Sequence, residues 1–87
     1  MVKAASHFWF VYMVECADGS IYTGITTNIK NRIEMHNAGL GAKYTRSRLP
    51  VKLLICWEHS NRSEATKREI EIKKLSRFQK LELAGKK

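Results

Sequence analysis

The stretch from Phe8 to Thr26 reads FWFVYMVECADGSIYTGIT, and it determines the fold. Its two ends are rich in aromatic and β-branched residues, which favour strands. Between them, Ala17-Asp18-Gly19 is a turn signal. The sequence therefore predicts a β-hairpin with strands over Phe8–Cys16 and Ser20–Thr26.

The length of the turn decides which hairpin side chains share a face. A two-residue loop would pair Tyr12 with Ile25 and would put Tyr12 and Tyr22 on opposite faces. A three-residue loop closed by Gly19 in the left-handed region pairs Tyr12 with Gly24 instead, which puts both tyrosines on one face and leaves open space beside the Tyr12 ring. We favour the three-residue loop, because the opposite face is then a good core face made of Trp9, Val11, Met13, Ile21, Thr23 and Ile25.

A first helix is predicted directly after the hairpin. Thr27 or Asn28 can cap it, it runs to about Ala38, and Gly39 suits the C′ position beyond its end. Arg32 borders its apolar stripe, one turn before a histidine that belongs to the stripe. The stripe comprises Ile29, Ile33, His36 and Leu40.

The rest of the chain supplies one more strand and two more helices. Residues 39–50 read as a loop and residues 51–58 as an apolar strand. Asn61 and Glu64 match a capping box that opens a helix to about residue 75. Ser76 begins a short final helix to about residue 81, and residues 85–87 are expected to be a frayed tail.

This order, β-β-α-β-α-α, predicts one α+β domain over residues 1–87 with its core at about residues 8–82. We expect a small, three-stranded, mainly antiparallel sheet flanked by helices.

Charge and composition limit the function. The 87 residues hold 16 Lys and Arg against 8 Asp and Glu, a net charge of +8 that favours a polyanionic partner, with nucleic acid ahead of a membrane. The longest apolar run, Phe8–Val14, is too short to span a bilayer, and we find no secretory signal. Cys16 and Cys56 lack metal-binding or redox spacing, so we expect buried free thiols in a cytoplasmic protein.

Glu69 is the most unusual residue of the third predicted helix. On a helical wheel it lies between Ala65 and Ile72, which mark the inward face, whereas the other acids of this helix point to solvent. A carboxylate on an apolar face must be paired, hydrogen-bonded or metal-bound. Arg68 or Lys73 could be its partner in a buried ion pair, and a metal ion is the other explanation.

Other candidates have ordinary structural explanations when taken one at a time. Arg32 could be a solvated arginine and His36 an edge-of-core histidine, although their spacing puts a guanidinium one turn from an imidazole. Tyr12 and Tyr22 could simply be packing residues of the sheet. The predicted loop has cations and an aromatic residue but no acid, which suits phosphate contact as well as a solvated loop: Lys43, Tyr44, Arg46 and Arg48.

Five short segments nevertheless follow one another in a fixed order. Phe10-Val11-Tyr12 is followed after a ten-residue step by Tyr22-Thr23-Gly24, and then come Asn28-x-x-x-Arg32-x-x-x-His36, residues 39–45 and residues 64–73. Together they resemble the GIY-YIG nuclease superfamily. The first two resemble its paired name motif, the third its arginine helix and the last the helix with its metal-binding glutamate. Residues 39–45 resemble a loop of small stand-alone bacterial members and of structure-selective relatives.

The resemblance covers about residues 8–82 and includes three departures. Phe10 stands where the name motif has its first glycine, and Thr23 where it has an isoleucine; neither changes a reacting group. Some relatives have a lysine where this chain has Ile25, so this chain would have to use Lys43 for that phosphate contact or do without it.

The resemblance implies a divalent-metal-dependent endonuclease that hydrolyses DNA phosphodiester bonds, with a structure-selective role in DNA repair or recombination. It implies that Arg32 contacts the scissile phosphate and that Glu69 holds Mg²⁺ or Mn²⁺. Tyr22 is the leading base, with His36 as its rival because an imidazole pKa of about 6.5 suits neutral pH. Tyr12 would position the water or Tyr22.

The partner that the resemblance implies is DNA, with RNA left open and a protein partner as a means of substrate targeting. The nucleic-acid-binding residues would be Lys43, Tyr44, Arg46, Arg48 and Lys73. One alternative is a non-catalytic nucleic-acid-binding module on the same fold. Another is a structural protein that binds a ribosome or chromosome through its basic face.

Overall fold

The computed structural model describes residues 8–85, and this part of the chain contains three strands and four helices. In chain order they are β1 (Trp9–Glu15), β2 (Ile21–Thr26), α1 (Ile29–Asn37), α2 (Lys43–Arg46), β3 (Lys52–His59), α3 (Arg62–Lys73) and α4 (Arg77–Leu83). The sheet has the order β2-β1-β3 and is antiparallel throughout, which confirms the predicted α+β class. The element order differs from the prediction by the short helix α2. Residues 86 and 87 of the expected frayed tail lie outside the described residues.

The β1–β2 hairpin has the register of a three-residue loop. Tyr12 pairs with Gly24 and Val14 with Tyr22, and Gly19 has a φ of 84°, as predicted. The expectation of open space beside the Tyr12 ring is wrong. A Cβ atom built on Gly24 would lie 2.7 Å from Tyr12 Oη and 2.9 Å from its Cζ, so the Tyr12 ring itself fills that space.

The central strand β1 is buried on both faces of the sheet. On the predicted core face, Val11 and Met13 pack against Ala65 and Ile72 of α3. The face that carries Tyr12 holds a second buried cluster, which the sequence analysis did not assign to the core: Tyr12, Val14, Cys16 and Val51. Tyr12 is therefore held inside a packed cluster and not on an open sheet surface.

Helix α1 covers this second cluster. Asn28 caps the helix through its side chain, and Ile29 and Ile33 pack against the cluster. His36, in the last turn, is fully buried. Leu40 is 68% exposed, so its predicted place in the apolar stripe is wrong, because the chain has already left the helix there.

The segment predicted as a plain loop, residues 39–50, contains the one-turn helix α2. Its turn closes where the N–H and the Oγ1–H of Thr45 both donate to the Ala42 carbonyl, at 3.1 and 2.9 Å. The consequence is that Thr45 is fully buried and faces α1.

The caps of the last two helices differ from the prediction in detail. Asn61 caps α3 by accepting the backbone N–H of Glu64 at 2.9 Å, which is one half of the predicted capping box. The complete, reciprocal capping box lies at α4, between Ser76 and Gln79. Both helices begin where the sequence predicted.

Two further expectations concern the cysteines and the membrane. Cys16 and Cys56 are free thiols; Cys16 is buried as predicted, but Cys56 is only partly buried. Within residues 8–85 we find no helix with the length and apolar character that crossing a membrane requires.

Candidate active site

Tyr12, Arg32 and His36 form one hydrogen-bonded chain. Tyr12 Oη lies 2.8 Å from His36 Nε2 and 3.3 Å from Arg32 Nε. β1 supplies the phenol, and two successive turns of α1 supply the guanidinium and the imidazole. The structure thus brings three of the predicted site residues into direct contact.

Thr45 fixes the donor-to-acceptor direction of these hydrogen bonds. Its hydroxyl donates its only hydrogen to the Ala42 carbonyl, so it must accept from His36 Nδ1, which lies 2.9 Å away. The proton of the neutral imidazole is therefore on Nδ1, and Nε2 accepts the hydrogen of the Tyr12 hydroxyl. The Tyr12 oxygen in turn accepts the N–H of Arg32. Every polar atom of His36 and Tyr12 is satisfied within the protein.

Two glycines allow this close packing. A Cβ atom on Gly24 would collide with the Tyr12 hydroxyl, and one on Gly41 would collide with the His36 ring, with its Cγ at 2.8 Å. Neither glycine has a positive φ. Both positions therefore depend on the absence of a side chain and not on backbone freedom.

Tyr22 lies beside this chain on the solvent side. Its ring centroid is 6.3 Å from that of Tyr12 and 5.5 Å from that of His36. Tyr22 is partly exposed, and within residues 8–85 its hydroxyl makes no hydrogen bond. It is thus a phenol in the site whose hydroxyl is free for a water or a substrate.

Burial sets the protonation of the buried pair. Burial raises the pKa of Tyr12 above its ordinary value; the hydrogen bond from Arg32 acts in the opposite direction, and the charges of Tyr22 and Glu69 add to the increase. Burial, followed by the positive charge of Arg32, lowers the pKa of His36 below its ordinary value. Both shifts favour a neutral tyrosine hydrogen-bonded to a neutral histidine.

Glu69 belongs to the same site, although α3 packs on the opposite face of the sheet. Its side chain is 17% exposed, and its Oε2 lies 3.2 Å from Lys73 Nζ. Lys73 Nζ in turn lies 5.9 Å from the centre of the Tyr22 ring, so the ion pair lies beside Tyr22. Arg68, the other partner we considered, pairs with Glu71 at 3.0 Å.

The donor set suits a metal that is shared with a substrate. Within residues 8–85 no three His, Cys, Asp or Glu side chains converge as a metal site, so a closed zinc site does not fit. Mg²⁺ is usually held by one or two carboxylates together with water and phosphate oxygens, which Glu69 and a bound phosphodiester would supply. The Lys73 ammonium competes weakly, because the lysine side chain is 50% exposed and such i,i+4 pairs contribute about 0.3–0.5 kcal/mol.

The predicted nucleic-acid-binding residues of the loop behave in two ways. Lys43 and Arg46 are exposed and make no ion pair within residues 8–85. Arg48 is used by the fold: its Nε lies 3.1 Å from Asp18, its Nη1 donates to the Tyr44 carbonyl at 2.6 Å, and its guanidinium lies 3.9 Å from the centre of the Tyr44 ring. Lys43 and Arg46 are thus free to meet an anion, while Arg48 mainly orders Tyr44.

The Tyr44 ring has a second neighbour besides Arg48. It lies beside Tyr22, with the centroids 6.0 Å apart and the rings 23° from parallel. Tyr44 remains 41% exposed. It connects α2 to the site through the Tyr22 ring.

A family model described as the GIY-YIG catalytic domain matches residues 8–82 of this chain. The chain belongs to the GIY-YIG family. Among the proteins to which this GIY-YIG chain is similar is the UPF0213 protein SH2523 of Staphylococcus haemolyticus, 55% identical over 74 residues that cover 85% of this chain and 90% of that one. The UPF0213 protein DP2720 of Desulfotalea psychrophila is 61% identical over 69 residues, which cover 78% of this chain and 63% of that one.

Solved structures carry the same fold. The NMR structure of the UPF0213 protein BH0048 of Bacillus halodurans has a TM-score of 0.58 and 46% identity, with 90% of this chain and 83% of that one covered. The predicted resemblance to the GIY-YIG superfamily is thus confirmed, together with its fold.

Three residues of this GIY-YIG site carried no role in the sequence analysis. Thr45 and Gly41 stood inside a quoted motif, but only the structure shows that both contact His36. Lys80 lies on α4, far along the chain, and lines a groove beside Tyr22. The sequence offered a signal for Gly41 and Thr45, because the two lie four residues apart in the motif at residues 39–45. Nothing in the sequence pointed to Lys80.

Proposed function

We propose that this GIY-YIG protein is a divalent-metal-dependent endonuclease that hydrolyses DNA phosphodiester bonds. The observation that carries the proposal is the hydrogen-bonded set of Tyr12, His36 and Arg32, beside the free hydroxyl of Tyr22 and the carboxylate of Glu69. The net charge of +8 supports a polyanionic substrate. Family membership supports nuclease chemistry in general.

Arg32 is suited to the scissile phosphate. Its Nε is used by Tyr12, and within residues 8–85 its two Nη groups make no hydrogen bond. The bond to a buried phenol holds the guanidinium in place, so little freedom is lost when it binds a phosphate. A fixed guanidinium opposes the negative charge that builds up on the phosphoryl oxygens in the transition state.

Tyr22 is the base that we assign, in preference to His36. Both nitrogens of His36 are occupied and the residue has no exposed surface, so a water cannot reach it. Tyr22 is partly exposed and its hydroxyl makes no hydrogen bond within residues 8–85, so a water can reach it, and Lys73 Nζ lies 5.9 Å from the ring centre. His36 and Tyr12 then act as positioning residues.

In the proposed step the water oxygen bonds to phosphorus as one of its protons passes to the Tyr22 oxygen, while the hydrogen that Tyr22 already carried passes to bulk water. The bond from phosphorus to the leaving oxygen breaks, and that oxygen takes up a proton from bulk water. A bound Mg²⁺ or Mn²⁺ would activate the water and neutralise phosphate charge, and Glu69 is the residue that would hold it. Arg32 supplies the fixed charge on the phosphate.

The form of specificity that we propose is selection of DNA shape, in repair or recombination. Exposed cations such as Lys43 and Arg46 suit backbone phosphates, which carry no base sequence. We place the activity in the cytoplasm, a choice supported by the free thiols of Cys16 and Cys56. A protein partner could supply further targeting.

A cleavage panel tests the proposal. Purified protein is incubated with Mg²⁺ or Mn²⁺ on nicked, flapped, branched and single-stranded DNA, and on RNA of matching shape. Glu69→Gln and Arg32→Ala should abolish cleavage, whereas Glu71→Gln is the matched control, because Glu71 is an exposed acid of the same helix that pairs with Arg68. Cleavage that persists in Glu69→Gln and Arg32→Ala, or no cleavage of any substrate by the wild-type chain, contradicts the proposal.

The ion pair between Glu69 and Lys73 favours a second candidate, a non-catalytic nucleic-acid-binding module. In such a module the pair is permanent and neutral. This candidate predicts binding that weakens steeply with salt, no cleavage, and equal affinity of the wild-type chain and Glu69→Gln in the presence of Mg²⁺.

A further inference from the structure

A groove of about 340 Å³ lies next to the candidate active site. Tyr22 belongs to both, so the groove continues the site along the outer side of the β2 strand. Its walls are formed by β2, α2, α3 and α4 through Ile21, Tyr22, Thr23, Tyr44, Lys73 and Lys80.

The groove contains two ammonium groups, and within residues 8–85 only one of them has an acidic partner. Lys73 pairs with Glu69, the carboxylate that would hold the metal, while Lys80 forms no ion pair in the described part of the chain. Lys80 is partly buried; this burial, and next the charge of Lys73, lower the pKa of Lys80. A partly buried ammonium that has no acidic partner in the described part of the chain, next to a second ammonium, favours the binding of an anion.

The position of Lys80 is fixed by contacts at the start of α4. Ser76 and Gln79 form a reciprocal capping box, with bonds of 2.9 and 3.1 Å. Arg77 Nε donates to the Gly19 carbonyl in the hairpin turn at 2.9 Å, which ties α4 to the strands that carry the tyrosines. These contacts hold the start of α4 against the hairpin, and Lys80 follows in the next turn, where it lines the groove.

The charged groups of the groove suit a phosphate. Its Tyr44 ring is already engaged with protein neighbours, since the Arg48 guanidinium lies 3.9 Å from the ring centre and Tyr22 lies beside it with the centroids 6.0 Å apart. Lysine ammonium groups are compact charges that suit phosphate oxygens. The groove therefore takes an anion without regard to base identity.

We propose that Lys80, together with Lys73, binds a backbone phosphate of the same DNA strand, next to the phosphate that Arg32 holds for cleavage. The inference rests on the proposed function and adds a substrate-positioning site to it. The substrate strand must then continue past the cleaved bond on the side of α4, and that neighbouring phosphate must be charged.

The experiment measures binding of a labelled branched DNA, without metal, by the wild-type chain, Lys80→Gln, Lys80→Arg and Lys74→Gln. Lys74 is the matched control, because it is an exposed lysine at the end of α3 that does not line the groove. Lys80→Gln should reduce the slope of log affinity against log salt by about 0.7–0.9, the value expected for one lost phosphate contact. Lys80→Arg should restore most of the affinity, and Lys74→Gln should leave the slope unchanged.

Neutral methylphosphonates placed one at a time along the strand then locate the contact. At one position beside the cleaved bond, the neutral linkage should weaken binding by the wild-type chain several-fold and have no further effect on Lys80→Gln. Two results would refute the phosphate site and leave the nuclease proposal standing. In the first, Lys80→Gln binds the unmodified DNA as tightly as the wild-type chain does. In the second, a methylphosphonate weakens binding by Lys80→Gln equally at every position of the strand. If the wild-type chain neither binds nor cleaves DNA, both proposals fail. A melting temperature for each variant shows whether a loss reflects unfolding.

Discussion

The substitution Thr45→Val is the sharpest test of the buried hydrogen bonds that link Thr45, His36 and Tyr12. Valine keeps the shape of the side chain but removes two hydrogen bonds, each 2.9 Å long. The Ala42 carbonyl keeps a partner, because it still accepts the backbone N–H of residue 45 at 3.1 Å. The Nδ1–H of fully buried His36 has no replacement, so one buried donor is left unsatisfied, at a cost of about 1–3 kcal/mol.

This cost is measurable in a chain of this size. A loss of about 1 kcal/mol lowers the melting temperature of a small domain by about 4–8 °C, so calorimetry or urea unfolding resolves even the low end. Thr45→Ser keeps the hydroxyl and should recover most of the loss, while Thr27→Val, at an exposed position, should stay within about 0.5 kcal/mol of the wild-type chain. NMR of the imidazole nitrogens should find the Nδ1–H tautomer in the wild-type chain and a changed His36 signal in Thr45→Val. A variant as stable as the wild-type chain, with an unchanged His36 signal, would refute the assigned direction of the chain.

Three other predictions concern the same site. The pKa of His36 is lowered in the folded protein, so below about pH 6.5 the unfolded protein binds more protons than the folded one. The contribution of His36 to the free energy of unfolding is therefore complete above that pH and falls as the pH decreases. Urea unfolding at several pH values between 8 and 5 measures this decline, and a constant free energy of unfolding contradicts the prediction. Gly24→Ala should displace the Tyr12 hydroxyl and abolish cleavage. Gly39→Ala is its control: the new Cβ meets no atom within 4 Å, but the φ of 79° should lower the free energy of unfolding by about 1 kcal/mol while cleavage is kept. Equal cleavage by the two variants would contradict this prediction. Tyr22→Phe should abolish cleavage and leave the free energy of unfolding within about 0.5 kcal/mol, while Tyr12→Phe should lower that free energy by about 1–3 kcal/mol, so urea unfolding and a cleavage assay on both variants test the division of roles.

Turn chemistry and helical spacing made much of the fold predictable. Gly19 suits the left-handed residue of a three-residue loop, and that one assignment fixed the pairing of Tyr12 with Gly24. The inward face of α3 followed from the seven-residue spacing of Ala65 and Ile72, which are both fully buried. These features depend on residues close together in the sequence, and there the sequence alone is informative.

One error arose where a distant contact decides the structure, and the others are local. The short helix α2 has no capping side chain, and it is held by the hydrogen bond that Thr45 accepts from His36, nine residues away. The partner of Glu69 was predictable in principle, because adjacent residues such as Arg68 point away from each other on a helix, whereas Lys73 lies one turn on. Leu40 was misplaced because the helical period was extended past the end of α1.

The hydrogen-bonded set of Tyr12, His36 and Thr45 supports the proposal that this face of the sheet carries out chemistry. Tyr12, His36 and Thr45 are fully buried, in space that apolar residues of similar volume could fill. A buried hydrogen-bonded set adds little to the free energy of unfolding compared with a well-packed apolar core. Two backbone positions must also stay glycine to make room for them. The product of this arrangement is a guanidinium held at a fixed point beside a free phenol and a carboxylate. A module that only binds polyanions does not need a guanidinium, a phenol and a carboxylate at fixed positions, since exposed lysines and arginines provide the same electrostatic attraction.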